Sequence, residues 1–185
     1  MSHESAVDLA ALQSLLTAVV APWVTELNLR VLAASPGEVT LALPIAPRHV
    51  HGGGVLCGQT MMAAADTAMI LAIVSQTGAF RPMTTVQLQT SFLRPIPGKP
   101  AGKPAGRPAG WPAGRPAGEP AGNPAANPAA NPADQPAGDG DDPPAEARVI
   151  ARVLRLGKSL VFGEIEVQDP AGRLAAHATC TYALL

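Results

Sequence analysis

The sequence contains little cysteine, little net charge and no long hydrophobic run. Its two cysteines are too few on their own for a disulfide framework or a tetrahedral zinc site. With 13 basic and 14 acidic residues the net charge is −1, so no basic field points to nucleic acid. No apolar run reaches the roughly 18 residues of a membrane-spanning helix, and the N-terminus lacks a signal peptide pattern. These absences predict a cytoplasmic protein that binds no nucleic acid, no membrane and no metal.

Proline and glycine, in contrast, are abundant, with 20 and 18 copies among 185 residues. The excess lies in a tandem repeat of four residues that begins at Pro100 and reads PAGK, PAGR, PAGW and onward to PAGD. Proline at every fourth position is incompatible with a helix, and four residues bury no hydrophobic face. We therefore predict a single domain over residues 1–185 that contains a disordered, low-complexity inserted loop at 97–145.

The sequence outside the repeat predicts two helices and six strands. The first helix spans about residues 5–20, and the second, Val55–Gln76, is apolar on nearly every face, so it must be buried. Alternating or β-branched segments predict strands at Leu27–Leu32, Glu38–Ile45, Thr84–Phe92, Arg148–Leu156, Leu160–Gln168 and Leu174–Leu184. The simplest topology pairs the two strands on either side of the repeat as a hairpin with a lengthened turn. The predicted fold class is α+β, with an antiparallel sheet wrapped around one long helix.

One carboxylate stands out within the apolar helix. Asp66 is the only acidic residue between Glu38 and Glu119, and a carboxylate in an apolar core costs several kcal/mol unless it is paired or lines a wet cavity. An ion pair with Arg81 or Arg94 would be a structural explanation. The functional explanation is a general base or nucleophile in a partly dry pocket.

Glycines at the start of the same helix suggest a second functional element. The segment from His51 to Gly54 is followed by Gly58, and glycines at a helix N-terminus let backbone N–H groups approach a ligand oxygen. Gly58 and Asp66 are eight residues apart, which is about 12 Å along one helix, so they cannot both contact one carbonyl group. Two antiparallel copies of the helix could bring them together. If these residues act together, the protein is a homodimer with shared sites.

Two segments carry a resemblance to a known family. GQTMMAAADTAM, followed by TTVQLQTSFLRP, resembles the hotdog-fold acyl-CoA thioesterases, in particular the phenylacetate-degradation type within the 4-hydroxybenzoyl-CoA thioesterase superfamily. The resemblance covers roughly residues 24–97 and 146–185. It implies the hotdog fold, hydrolysis of acyl-CoA to a free acid and CoA, and no cofactor, since CoA is part of the substrate. It also implies a homodimer or a homotetramer.

The resemblance assigns four catalytic positions in this chain. Asp66 corresponds to the catalytic carboxylate, and the backbone N–H of Gly58 corresponds to the group that polarises the thioester carbonyl. His51 would hold the carbonyl or the water, and Thr85 would help to position water. The family's His-Gly-Gly is replaced by Cys57-Gly58-Gln59, and this chain's own His-Gly-Gly lies six residues earlier. An alignment on that earlier motif would lose the carboxylate.

Further residues are predicted to bind the substrate. Gly54 and Gln59 flank the start of the helix, and Met62 belongs to an apolar lining that suits an apolar or aromatic acyl group. The phosphates of CoA call for basic side chains, for which Arg94, Arg152 and Lys158 are candidates. The alternative for these three is that they are isolated surface charges.

Other functions remain open from the sequence. A hotdog protein could bind an acyl ligand without hydrolysing it, and an adaptor could act through the Pro-rich loop. A hotdog dehydratase would need an Asp followed closely by a His, which neither Asp66 nor Asp8 has. Cys57 lacks an evident neighbouring base, so it is better explained as a small buried thiol than as a nucleophile.

Overall fold

The computed structural model of the chain describes residues 7–101 and 144–185. Its helices and strands follow in the order α1 (Leu9–Val19), α2 (Pro22–Thr25), β1 (Arg30–Ser35), β2 (Glu38–Pro44), α3 (Gly58–Thr77), β3 (Met83–Phe92), β4 (Glu146–Leu156), β5 (Leu160–Gln168) and β6 (Leu174–Leu184). The period-two alternation that predicted β5 is present in the structure. Val161, Gly163, Ile165 and Val167 are buried, whereas Phe162, Glu164 and Glu166 between them are more exposed.

The six strands form one antiparallel sheet in the order β1-β2-β4-β5-β6-β3. One face of the sheet packs on α3, which contacts β1, β2, β3, β4 and β5. The prediction of an α+β hotdog fold, with a sheet wrapped around one long helix, is confirmed.

Small side chains let the sheet approach α3 closely. Ala64, Ala68 and Ala72 are fully buried, and a Cβ on Gly163 of β5 would lie 2.2 Å from Cε of Met69. The helix ends at Gly78, whose φ of 73° is the left-handed conformation that favours glycine at a C-cap. By length and composition α3 could cross a membrane, but most of it is buried inside the fold, as is usual for a core helix.

The predicted hairpin around the repeat is wrong. β3 pairs only with β6, whereas β4 pairs with β2 and β5, so β5 and β6 separate the two strands. The prediction relied on the tendency of consecutive strands to be neighbours, which fails when an edge strand returns by a crossover. Most of the predicted loop 97–145 lies outside the described residues, and its disorder stays a prediction.

Element boundaries differ from the prediction at three places in particular. Pro22 was predicted only to end the first helix. It also starts a second, four-residue helix, α2. β1 begins at Arg30, because Asn28 adopts a φ of +52° that interrupts an extended strand. The helix α3 begins at Gly58 rather than at Val55, which forms a bridge to Pro97.

Candidate active site

The carboxylate of Asp66 is held by hydroxyl groups from the sheet. Asp66 is half-buried on α3, and its Oδ1 accepts a hydrogen bond of 2.9 Å from Thr85 Oγ1 on β3. The hydroxyl of Tyr182 on β6 donates to the same Oδ1 and lies 2.9 Å from the backbone oxygen of Asp66. No ion pair to Asp66 occurs within 7–101 and 144–185, so neither Arg81 nor Arg94 neutralises it there.

Tyr182 was not marked by any sequence motif. It is the only tyrosine of the chain and is 1% exposed. A buried tyrosine hydroxyl requires a polar partner. The one tyrosine of the chain, at an inward position of the last strand, therefore indicated a buried polar contact that sequence reasoning could have used. Burial, followed by the charge of Asp66, raises the pKa of Tyr182 above its ordinary value, which keeps the hydroxyl protonated.

Cys180 lies two residues before Tyr182 on the same strand and is also buried. Burial, with a further contribution from the charge of Asp66, raises the pKa of its thiol to about 11. The thiol is therefore protonated at neutral pH and is a poor nucleophile.

The N-terminus of α3 presents free backbone donors. The helix has no side-chain cap at Cys57, and the N–H groups of the first turn, at Gly58, Gln59 and Thr60, donate to no group in the described part of the chain. Such unpaired N–H groups, together with the helix dipole, attract a negatively charged oxygen. They are suited to stabilise the oxyanion of an acyl-transfer reaction.

A groove opens beside this helix end. It has a volume of about 380 Å³, and its lining includes His51, Gly58, Met61, Phe92 and Arg94. The structure therefore brings three of the predicted site residues, His51, Gly58 and Arg94, to one place.

The loop before α3 is fixed by tight turns. The N–H of Gly53 donates to Nδ1 of His51 over 2.9 Å, and the N–H of Gly54 donates to the backbone oxygen of His51. Gly54 has a φ of +76°, which explains why glycine occupies this position. The imidazole of His51 is exposed at the groove.

A second histidine, which no sequence motif marked, anchors the same loop. His49 is buried, and Arg48 Nε donates to its Nε2 over 3.2 Å, so Nδ1 carries the proton and donates to the backbone oxygen of Pro44. The backbone oxygen of His49 accepts from the N–H of Cys57. His49 thereby holds Cys57, the residue that precedes α3.

Gly58 and Asp66 belong to two separate clusters within one chain. Both lie on the unbroken helix α3, about 12 Å apart along its axis. The side chains of Gln59 and Met62 on the same helix are exposed, Met62 to 37%. These residues, together with half-buried Asp66, form an accessible stripe on the first half of a mostly buried helix.

Two of the three predicted phosphate-binding residues, Arg152 and Lys158, do not line the groove. Arg152 on β4 donates to Glu38 over 2.9 Å and to Glu166 over 3.1 Å, with Glu164 at 3.9 Å. The pKa of Arg152 is raised by its hydrogen bond to Glu38, with a further rise from Glu166.

Lys158 lies in the turn between β4 and β5. The strand register places that turn at the same end of the sheet as the start of β3, because both lie next to Ala183 of β6. Arg94, in contrast, follows the other end of β3. Among the described residues, no three His, Cys, Asp or Glu side chains gather as they would in a metal site.

No family model matches the chain, and no curated protein matches its sequence. Solved structures match it over nearly its full length. Zebra fish thioesterase superfamily member 2 is 18% identical with a TM-score of 0.65, and the match covers 97% of this chain and 100% of that one. A thioesterase from Haemophilus influenzae is 14% identical with a TM-score of 0.65, covering 100% and 95%. The PaaI protein of the phenylacetic acid degradation operon of E. coli is 13% identical with a TM-score of 0.60, covering 96% of each chain.

These likenesses define the structural class. The chain has the hotdog fold of the solved thioesterase-superfamily proteins, so the resemblance noted in its sequence is confirmed at the level of the fold.

Proposed function

We propose that this protein hydrolyses acyl-CoA thioesters to a free acid and CoA. The observation that carries the proposal is the half-buried carboxylate of Asp66, which two hydroxyl groups orient on the helix whose free N-terminus lines a groove. A carboxylate and an oxyanion donor are the two groups that thioester hydrolysis requires. The names of the solved hotdog proteins that the chain resembles support the same reaction.

Asp66 has two possible roles in this reaction. As a general base, its carboxylate takes a proton from water while the water oxygen attacks the carbonyl carbon; the C–S bond then breaks and the CoA thiolate recovers the proton. As a nucleophile, the carboxylate attacks the carbonyl carbon and expels the thiolate, and water then cleaves the mixed anhydride. In both routes the N–H of Gly58 donates to the oxyanion. Neither route uses a cofactor.

The active site would be shared between two copies of the chain. β3 is an edge strand of 10 residues that pairs only with β6, and it contains no charge and no proline to protect its free edge. Val86 and Phe92 on this strand are 59% and 50% exposed. A second copy that covers this edge, with its α3 antiparallel to the first, would bring Gly58 of one copy near Asp66 of the other. A tetramer would consist of two such dimers.

The groove predicts the type of substrate. Met61 and Phe92 give it an apolar wall that suits an aliphatic or aryl acyl group, while His51 and Arg94 provide its polar groups. Arg94 is the predicted phosphate-binding residue that adjoins the groove, and we propose that it contacts the CoA moiety.

An assay of thiol release from a panel of aliphatic and aryl acyl-CoAs tests the proposal. We expect activity in the wild type and a loss of about 10²-fold or more in Asp66→Asn and Asp66→Ala. Asp8→Asn is the matched control, because Asp8 caps the remote helix α1 and asparagine caps equally well. Activity that survives both changes at Asp66 would refute the mechanism. Acyl-CoA binding by calorimetry without hydrolysis in the wild type would instead identify a non-catalytic binding protein.

A further inference from the structure

Tyr182 and Thr85 approach Asp66 as a pair. Their Cα atoms are partners in the β3–β6 ladder, and the register of this ladder shifts immediately afterwards, between Thr85 and Gln87. β-bulges of this kind redirect side chains and are frequent beside active sites. Here both hydroxyl groups reach the same atom, Oδ1 of Asp66.

The direction of these hydrogen bonds is fixed. An ionised carboxylate oxygen can only accept, so the buried Tyr182 hydroxyl is the donor. The Thr85 hydroxyl also donates to Asp66 Oδ1 over 2.9 Å. The second oxygen, Oδ2, accepts no hydrogen bond from the described ranges of the chain. The two oxygens of one carboxylate are therefore in different environments.

We infer that Tyr182 is a positioning residue for Asp66: with Thr85 it anchors Oδ1, which leaves Oδ2 as the oxygen that takes the proton from water or attacks the thioester. This inference rests on the proposed function. Two hydroxyl donors fix the rotation of the carboxylate and stabilise its charged form.

Substitution of Tyr182 by phenylalanine tests the inference, since it removes the hydroxyl and keeps the buried ring. For Tyr182→Phe we expect a kcat about tenfold lower, with KM within about twofold of the wild type because the hydroxyl lies behind the reacting oxygen. A loss in kcat at nearly unchanged KM is the signature of a group that orients the reacting carboxylate rather than one that binds substrate.

Thr67→Val is the matched control. Thr67 is the next residue on α3, and its buried hydroxyl donates to the backbone oxygen of Ala63 and not to the carboxylate. We expect this variant to keep the wild-type kcat and KM. Thr85→Val should lower kcat with little change in KM, as Tyr182→Phe does.

A measurement that does not depend on turnover separates the inference about Tyr182 from the proposed function. The carboxyl carbon of Asp66, labelled with ¹³C and identified by its absence in Asp66→Asn, is observed by NMR at pH 7 in the wild type and in Tyr182→Phe. We expect its chemical shift to change in Tyr182→Phe, which loses a hydrogen bond to Oδ1, and to stay unchanged in Thr67→Val. An unchanged chemical shift in Tyr182→Phe overturns the inference, as does a wild-type kcat in Tyr182→Phe while Asp66→Asn is inactive. An active Asp66→Asn instead overturns the proposed function.

Discussion

A Cβ atom on Gly58 would lie 3.0 Å from Cζ of Phe92. The first residue of α3 therefore packs tightly against the aromatic ring, which would have to move by a few tenths of an ångström to admit a Cβ atom. This contact joins the groove to the helix N-terminus, because a side chain at residue 58 would press on the Phe92 ring that lines the groove.

The variant Gly58→Ala should lose activity without unfolding. We expect kcat to fall by roughly tenfold or more, since the displaced N–H no longer aims at the oxyanion, while the free energy of unfolding changes by less than about 1 kcal/mol. The measurements are thiol release and urea unfolding. Gly58→Ala combined with Phe92→Leu should recover part of the activity by restoring space. Full activity in Gly58→Ala alone would contradict this role.

Met62 offers a test of the shared site. It lies four residues from both Gly58 and Asp66 on α3 and is 37% exposed, so an antiparallel helix pair that joins those two residues has its two-fold axis near Met62. In a Cys57→Ala background, Met62→Cys should form a disulfide-linked dimer under mild oxidation, seen on non-reducing gels. Gln76→Cys, exposed near the end of the same helix, is the control that should stay monomeric on the gel. Equal cross-linking of both variants would argue against this arrangement.

The two cysteines should differ in reactivity. Cys180 is buried and its thiol has a pKa of about 11, so it is protonated and shielded at pH 8, whereas Cys57 is half-buried at the start of α3. In the native protein, iodoacetamide should modify Cys57 at most. Cys180 should react only after the protein has been unfolded in denaturant. Mass spectrometry of labelled peptides checks this, with Cys180→Ala as the reference. Rapid labelling of Cys180 in the folded state would be inconsistent with its burial.

Asp169 should make stability depend on acid pH. It is buried in the β5–β6 turn and accepts hydrogen bonds from the N–H groups of Ala171 and Arg173 and from Arg173 Nε. Burial acts to raise the pKa of Asp169, but the hydrogen bonds and charge of Arg173, together with the Ala171 N–H, lower it below its ordinary value. The carboxylate therefore stabilises the fold above the unfolded-state pKa of about 3.9. That stabilisation is lost as the pH falls through the lower folded-state pKa.

Urea unfolding, measured at several pH values, tests the direction of this pH dependence. Asp169→Asn should lower the free energy of unfolding by about 1–3 kcal/mol at pH 7, and the difference from the wild type should shrink below about pH 4. Glu26→Gln, at an exposed position, should show no such pattern. A constant difference between Asp169→Asn and the wild type from pH 7 to pH 3 would contradict the assignment.

Local periodicity was sufficient to predict most of the fold. The strands from Leu160 and from Leu174 begin and end where the alternation does, because each buries one face. The pairing of β3 with β6 was not predictable in the same way. It depends on which edge remains free after β4, β5 and β6 have paired, and no local pattern encodes that choice.

The candidate site was predicted only in part for a similar reason. Asp66 and Gly58 stand out by composition, since one is charged within an apolar helix and the other begins it. The contact of Asp66 with Tyr182 depends on the β3–β6 register and on where α3 packs against the sheet, neither of which local sequence determines. The partners of Arg152 are likewise supplied by two other strands, β2 and β5, so its position in the sequence gave no sign of them.

The crossover from β3 to β4 has a consequence for how the chain can evolve. Two strands separate them, so the connection has to span three strand spacings, about 14 Å, for which roughly five extended residues suffice. Residues 97–145 far exceed that minimum. The register of β4 is set by β2 and β5, and the register of β3 is set by β6. No strand pairing therefore depends on the length of the segment that connects β3 to β4. The strand pairings therefore set no upper limit on the length of this connection, and adding or removing four-residue units would leave the pairing of the strands unchanged.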